Sequence, residues 1–104
     1  MQFGLKNRTA VVTGASKGIG LAVARGLAAE GCSVHLVARN SAMLEKAAVS
    51  ISADFQVSAT PHALDLSRSE SIGTLMAATG TPDILINNAG AIPGGDLQTV
   101  DETR

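Results

Sequence analysis

Apolar positions along this chain follow two alternating rhythms. Short runs of strand length, rich in β-branched and aliphatic residues, occur at Thr9–Thr13, Ser33–Ala38 and Asp83–Asn87. Between them the spacing becomes helical. From Ile19 to Glu30 the apolar residues Ile19, Ala22, Val23, Leu27 and Ala28 recur on one face, and Gly31 offers a left-handed stop. A second helix, capped by Asn40 or Ser41, carries Met43, Leu44, Ala47, Ala48 and Ile51 to about Ser52. Gln56–Leu64 reads as a weaker strand, and Pro61 within it argues for a sheet edge. Ser67-Arg68-Ser69-Glu70 then has the form of a capping box, with Glu70 returning a bond to the Ser67 backbone. That helix runs to about Thr79 and stops at Gly80. Pro93-Gly94-Gly95 marks a loop, and Asp101-Glu102 puts negative charge at another helix start.

Repeated strand–helix alternation requires parallel strands joined by right-handed crossovers. The expected fold is therefore α/β, a doubly wound parallel sheet of Rossmann type with strand order 3-2-1-4, cut after about four strands. Its switch point falls between the first and fourth strands, which brings the segments after Thr13 and after Asn87 to one crevice.

The segment after Thr13 is Gly14-Ala15-Ser16-Lys17-Gly18-Ile19-Gly20, a glycine-rich turn from buried strand to helix. Unpaired N–H groups in a first helical turn favour an anion, so the turn predicts a phosphate ligand. Gly14 allows the tight bend, Gly18 a close approach of phosphate, and Gly20 close packing of helix on strand. A P-loop is excluded, because Lys17 precedes Gly18 and no Gly-Lys-Ser/Thr follows. An adenosylmethionine-dependent methyltransferase is disfavoured, since Val12 and Thr13 stand before Gly14 where an acidic residue is usual.

Composition narrows the classes further. The 104 residues are 45% apolar and 16% charged with net charge −1, which argues for a folded domain and against a nucleic-acid or membrane partner. No apolar run approaches the ~20 residues of a membrane span, and the start lacks a signal-peptide core, so a cytoplasmic location is expected. Cys32 has no disulfide or metal-ligand companion and is expected to be a packing residue. His35 is expected to be a hydrogen-bonded or edge-facing strand residue. Phe3 and Phe55 are the only aromatics of the Phe, Tyr and Trp class, little material for a substrate pocket.

Taken together, the Thr13–Gly20 turn, Asp65-Leu66 and Asn87-Asn88-Ala89-Gly90 resemble, in order and spacing, the short-chain dehydrogenase/reductase family, in its ordinary rather than extended branch. The resemblance implies that Gly14, Ser16, Lys17, Gly18, Ile19 and Gly20 hold the pyrophosphate and adenosine ribose. It implies that Asp65 accepts a bond from the adenine amino group beside the Leu66 backbone, or else caps the next helix. Asn88, Ala89 and Gly90 would line the adenosine side of the cleft, with Asn87 tying the fourth strand to its neighbours. Ala38 stands where the family's NAD-type acid would sit, and Arg39 follows. With Lys17, Arg39 points to NADP(H) over NAD(H), unless both are simply solvated cations.

The family's chemistry uses a Tyr as general acid/base, a Lys that lowers its pKa and a substrate-orienting Ser. This chain has no tyrosine, and Lys6, Lys17 and Lys46 lie in no such motif, so no catalytic residue is assigned and no metal is implied. Residues 1–104 are accordingly expected to be the N-terminal part of a single dinucleotide-binding domain. The parent reaction would be hydride transfer between NADP(H) and an alcohol or carbonyl substrate bound only by the complete enzyme, a reading compatible with a homo-oligomer. The alternative is a non-catalytic dinucleotide-binding module or one half of a split protein.

Overall fold

Strand β1 (Thr9–Thr13) forms the axis of the molecule, flanked on both sides by parallel strands that bury Ala10 through Thr13. The computed structural model describes residues 5–88. Within them β1 is followed by α1 (Gly18–Ala29), β2 (Ser33–Ala38), α2 (Ser41–Phe55), β3 (Ala59–Ala63), α3 (Ser69–Thr79) and β4 (Ile84–Ile86). The sheet order is β3-β2-β1-β4, as the alternation requires. Register places Thr13 opposite Val37 and Val12 opposite Ile86, so the strands end together at one rim. The loop expected at 93–95, the helix start expected at 101–102 and the site candidates Ala89 and Gly90 lie outside the described residues.

Alternate residues of each strand face opposite layers. Ala10, Val12, Val34 and Leu36 pack beneath α1 and α2, against Ala24, Ala28, Leu44 and Ile51. Val11 and Val37 face the other way and meet Leu66 and Leu75. The buried stripe of α1 keeps Ala28 of the expected one, with Leu27 packed at its side, but is otherwise displaced. Gly20, Ala24 and Ala28 are its buried residues, whereas Ile19 is 73% exposed. Small residues at four-residue spacing let the helix axis come close to the sheet, and the larger Leu21 and Leu27 fill the flanks. Gly31, at φ +94°, closes the helix: its N–H reaches the Ala28 carbonyl and the Cys32 N–H reaches that of Leu27, a Schellman arrangement.

Asn40 caps α2, its Oδ1 accepting from the Met43 N–H at 3.0 Å. The helix runs three residues past Ser52 because α1 holds its last turn. Arg25 donates to Asp54 at 2.6 Å and to Ser50 at 3.1 Å, and its guanidinium lies 5.0 Å from the centre of the Phe55 ring. Gln56 then turns left-handed at φ 58°, which delays β3 to Ala59. β3 is an edge strand that accommodates Pro61, as expected.

The capping box does not form. Ser67 donates its hydroxyl to Asp65 instead, Glu70 accepts from Arg68, and α3 starts without a side-chain cap. Local side-chain bonds two residues apart outcompete the reciprocal cap. β4 is shorter than the apolar run suggests, since Asp83 accepts from the Thr9 N–H and Asn87 turns toward Thr13. Among the described residues no helix is long and apolar enough to cross a membrane.

Candidate functional site

The rim where β1, β2 and β4 end carries the glycine turn. Gly14 and Gly18 both adopt positive φ, +62° and +61°. A Cβ on Gly14 would lie 3.0 Å from the Asn88 carbonyl oxygen. One on Gly20 would overlap the Gly14 carbonyl oxygen and sit 2.8 Å from Asn88 Nδ2. The turn, the first turn of α1 and the segment after β4 therefore meet at backbone distance, which only glycine permits. Gly18 differs, for a Cβ there would meet nothing within 4 Å. Its left-handed backbone faces open space at the head of the helix.

Three hydrogen bonds fix the turn's shape. The Ala15 N–H donates to the Val37 carbonyl at 3.1 Å, tying the turn to the end of β2. Thr13, 1% exposed, accepts from the Asn88 N–H at 2.8 Å and donates to Asn87 Oδ1 at 3.0 Å. Asn87 thus links β4 to β1. The role of Thr13 was not read from the sequence; the available signal is a hydroxyl residue closing an otherwise apolar strand just before the first glycine.

Lys17 precedes α1 with extended backbone, and the helix begins with no side-chain cap. Its first N–H groups are thus left to solvent or to an anion. Lys17 and Ile19 are exposed and Ser16 is half-buried, all three on the turn itself.

Beside the turn lies a cleft of ≈ 220 Å³, lined by Gly14, Val37, Ala38, Arg39, Leu64 and Leu66. The structure thus gathers Gly14, Arg39 and Leu66 into one opening, with no acid at the end of β2. Lys17 does not line it. Asp65 stands between the two lining leucines, and its Oδ1 accepts from the Ser67 hydroxyl at 2.6 Å and N–H at 3.0 Å. These bonds hold its carboxyl below the usual carboxylate range, with Arg39 and Arg68 adding to the effect against a smaller desolvation. Asp65 therefore caps a turn and not α3. Larger depressions, of ≈ 620 and ≈ 590 Å³, run along the outer face of α2 beside Val49 and Glu45 and include none of these residues.

The remaining titratable candidates are structural. His35 Nδ1 and His62 Nε2 share a hydrogen bond of 2.8 Å across β2 and β3, and burial lowers the pKa of both. Cys32 is buried, and desolvation, then Asp83 and Glu30, push its thiol pKa up, away from nucleophilic use. Among the described residues no group of three or more His, Cys, Asp or Glu could hold a metal ion.

Comparison with known proteins agrees with this geometry. A family profile described as short chain dehydrogenase matches residues 8–104. A very-long-chain 3-oxoacyl-CoA reductase of Laccaria bicolor is 38% identical, covering 97% of this chain and 32% of its own length. A gluconate 5-dehydrogenase of Gluconobacter oxydans is 40% identical, over 85% of this chain and 36% of its own. Among solved structures, the L-sorbose reductase of Gluconobacter frateurii, complexed with NADPH and L-sorbose, superposes with a TM-score of 0.79 at 40% identity, covering 88% of this chain and 36% of that one. The chain thus spans about a third of the length of the relatives it matches.

Proposed function

Because the chain belongs to the short-chain dehydrogenase family, we propose that it forms the part of a cytoplasmic reductase that grips the adenosine end of NADP(H). The observation that carries this reading is the junction of Gly14, Gly20 and Asn88 beneath an uncapped α1, with Gly18 open above it. Backbone N–H groups at the head of α1, between Ser16 and Gly20, hold the pyrophosphate. The cleft of Gly14, Val37, Ala38, Arg39, Leu64 and Leu66 takes the adenosine, with Asp65 receiving the adenine amino group. Arg39 at the cleft and Lys17 on the turn bind the 2′-phosphate, while the absence of an acid at Ala38 leaves that phosphate unopposed. The similar L-sorbose reductase, solved with NADPH, supports the choice of the phosphorylated dinucleotide.

When bound, the cofactor supplies or accepts a hydride, and the parent reaction interconverts an alcohol and a carbonyl compound. The residues of this chain hold and orient it, and none is assigned a proton-transfer role. A second reading is a dinucleotide-binding module without turnover of its own, since the glycine turn and the cleft account for cofactor binding alone.

Calorimetric titration of the chain with NADPH and NADH tests the proposal. NADPH should bind at least about tenfold more tightly, the effect of one charge-assisted contact. Failure to bind either dinucleotide refutes it. Binding accompanied by oxidation of NADPH in the presence of a ketone refutes the second reading.

A further inference from the structure

Asp65 lies between the two leucines that bound the cleft on the β3 side, and its carboxylate oxygens are not equivalent. Oδ1 accepts both the hydroxyl and the N–H of Ser67, at 2.6 and 3.0 Å, while Oδ2 accepts from no described residue. A 2.6 Å O–H···O⁻ contact belongs to the strong, charge-assisted class. The terminal torsion of an aspartate is otherwise broad and nearly two-fold, so two bonds to one oxygen set the carboxylate plane. Of the two cations near Asp65, Arg39 lines the cleft without a hydrogen bond to it, and Arg68 is engaged with Glu70 through Nε at 3.2 Å and Nη2 at 3.0 Å. Ser67 is also free of the helix-capping role its sequence suggested, since α3 starts without a side-chain cap.

We infer that Ser67 is a positioning residue for dinucleotide recognition: by engaging Oδ1 it fixes Asp65 so that Oδ2 serves as acceptor for the exocyclic amino group of adenine. The inference rests on the proposed adenosine site, and it explains how a half-buried loop carboxylate reads a base. An oriented acceptor favours a purine bearing a donor at that position. A purine with a carbonyl there sets acceptor against acceptor, leaving both without a partner.

The test compares NADPH with nicotinamide hypoxanthine dinucleotide phosphate, its deaminated analogue, by titration of the unaltered chain, Ser67→Ala and Ser67→Thr. The unaltered chain should prefer NADPH by about tenfold, the scale of one hydrogen bond to a charged group. Ser67→Ala should lose most of that preference through weaker NADPH binding, and Ser67→Thr, which keeps the hydroxyl, should retain it. Equal weakening of both dinucleotides by Ser67→Ala, with the preference intact, would reduce Ser67 to a loop-stabilising residue and overturn the inference. Equal binding of the two by the unaltered chain overturns it too, while leaving the dinucleotide site standing. Absence of NADPH binding by the unaltered chain overturns the site, and the inference with it.

Discussion

The Asn88 backbone N–H donates to Thr13 Oγ1 at 2.8 Å, joining two segments 75 residues apart at the rim of the sheet. The same hydroxyl donates to Asn87 Oδ1, so one buried oxygen organises both the first glycine and the end of β4. Thr13→Val keeps the side-chain shape and leaves the Asn88 N–H without its partner. It should destabilise the fold by about 1–3 kcal/mol, seen as a lower urea midpoint at unchanged m-value. Thr13→Ser should stay near the unaltered chain. A Thr13→Val midpoint equal to the parent's would mean that solvent replaces the bond at no cost.

Two glycines in α1 should respond in opposite ways to the same change. Gly20→Ala drives a methyl group into the Gly14 carbonyl and Asn88 Nδ2, so α1 has to move off the turn. A loss of roughly 1–3 kcal/mol is expected, together with loss of dinucleotide affinity. Gly26→Ala meets nothing within 4 Å and should gain about 0.5–1 kcal/mol from helix propensity alone. Thermal unfolding of the two variants side by side checks the sign of each.

Arg39→Asp replaces the cleft's cation with the acid that NAD readers place near this position. The ratio of NADPH to NADH affinity should fall by about one to three orders of magnitude, as a charge-assisted contact becomes a repulsion. Titration with both dinucleotides reads it directly. An unchanged ratio would remove Arg39 from the 2′-phosphate.

The His35–His62 bond needs one donor and one acceptor, and a second proton sets N–H against N–H. Both pKa values lie below the usual 6.5 in the fold, by burial first and, for His62, by His35. The unfolded chain thus binds more protons in this window, so stability is complete above 6.5 and declines as pH falls toward the folded values. Urea midpoints at about pH 7.5 and about pH 5.5 should differ, and the double variant His35→Gln, His62→Gln should lose most of the difference. Asp65 titrates in a lower range, from the usual 3.8 downward, and does not enter this window.

The sheet was legible because its signals are local and mutually consistent. Val11 and Val12 mark a buried strand, the glycines fix the turn after it, and Pro61 marks an edge whatever its neighbours do. The errors share another origin, in partners that sequence spacing does not reveal. Ser67 was expected to cap a helix, but Asp65 reached it first. The end of α2 was placed at Ser52 because nothing local shows that Arg25, on another helix, holds Asp54 and Phe55. Ile19 was assigned to the buried face of α1, yet Gly20, with no side chain to count as apolar, is what lies against the sheet. In the cleft, Gly14 is legible from its place after β1, whereas Arg39 and Leu66 follow from the family resemblance. The bonds of Thr13 could not, since they join side chains to backbone across the sheet.

The bond from Ala15 to the Val37 carbonyl bears on ligand capture as well as on shape. A loop already pinned to the neighbouring strand has little conformational freedom left to surrender when an anion arrives. Association at the head of α1 then resembles the filling of a rigid mould more than the folding of a flap around its guest. For the proposed dinucleotide, affinity there would follow charge and fit, with only a small entropic toll.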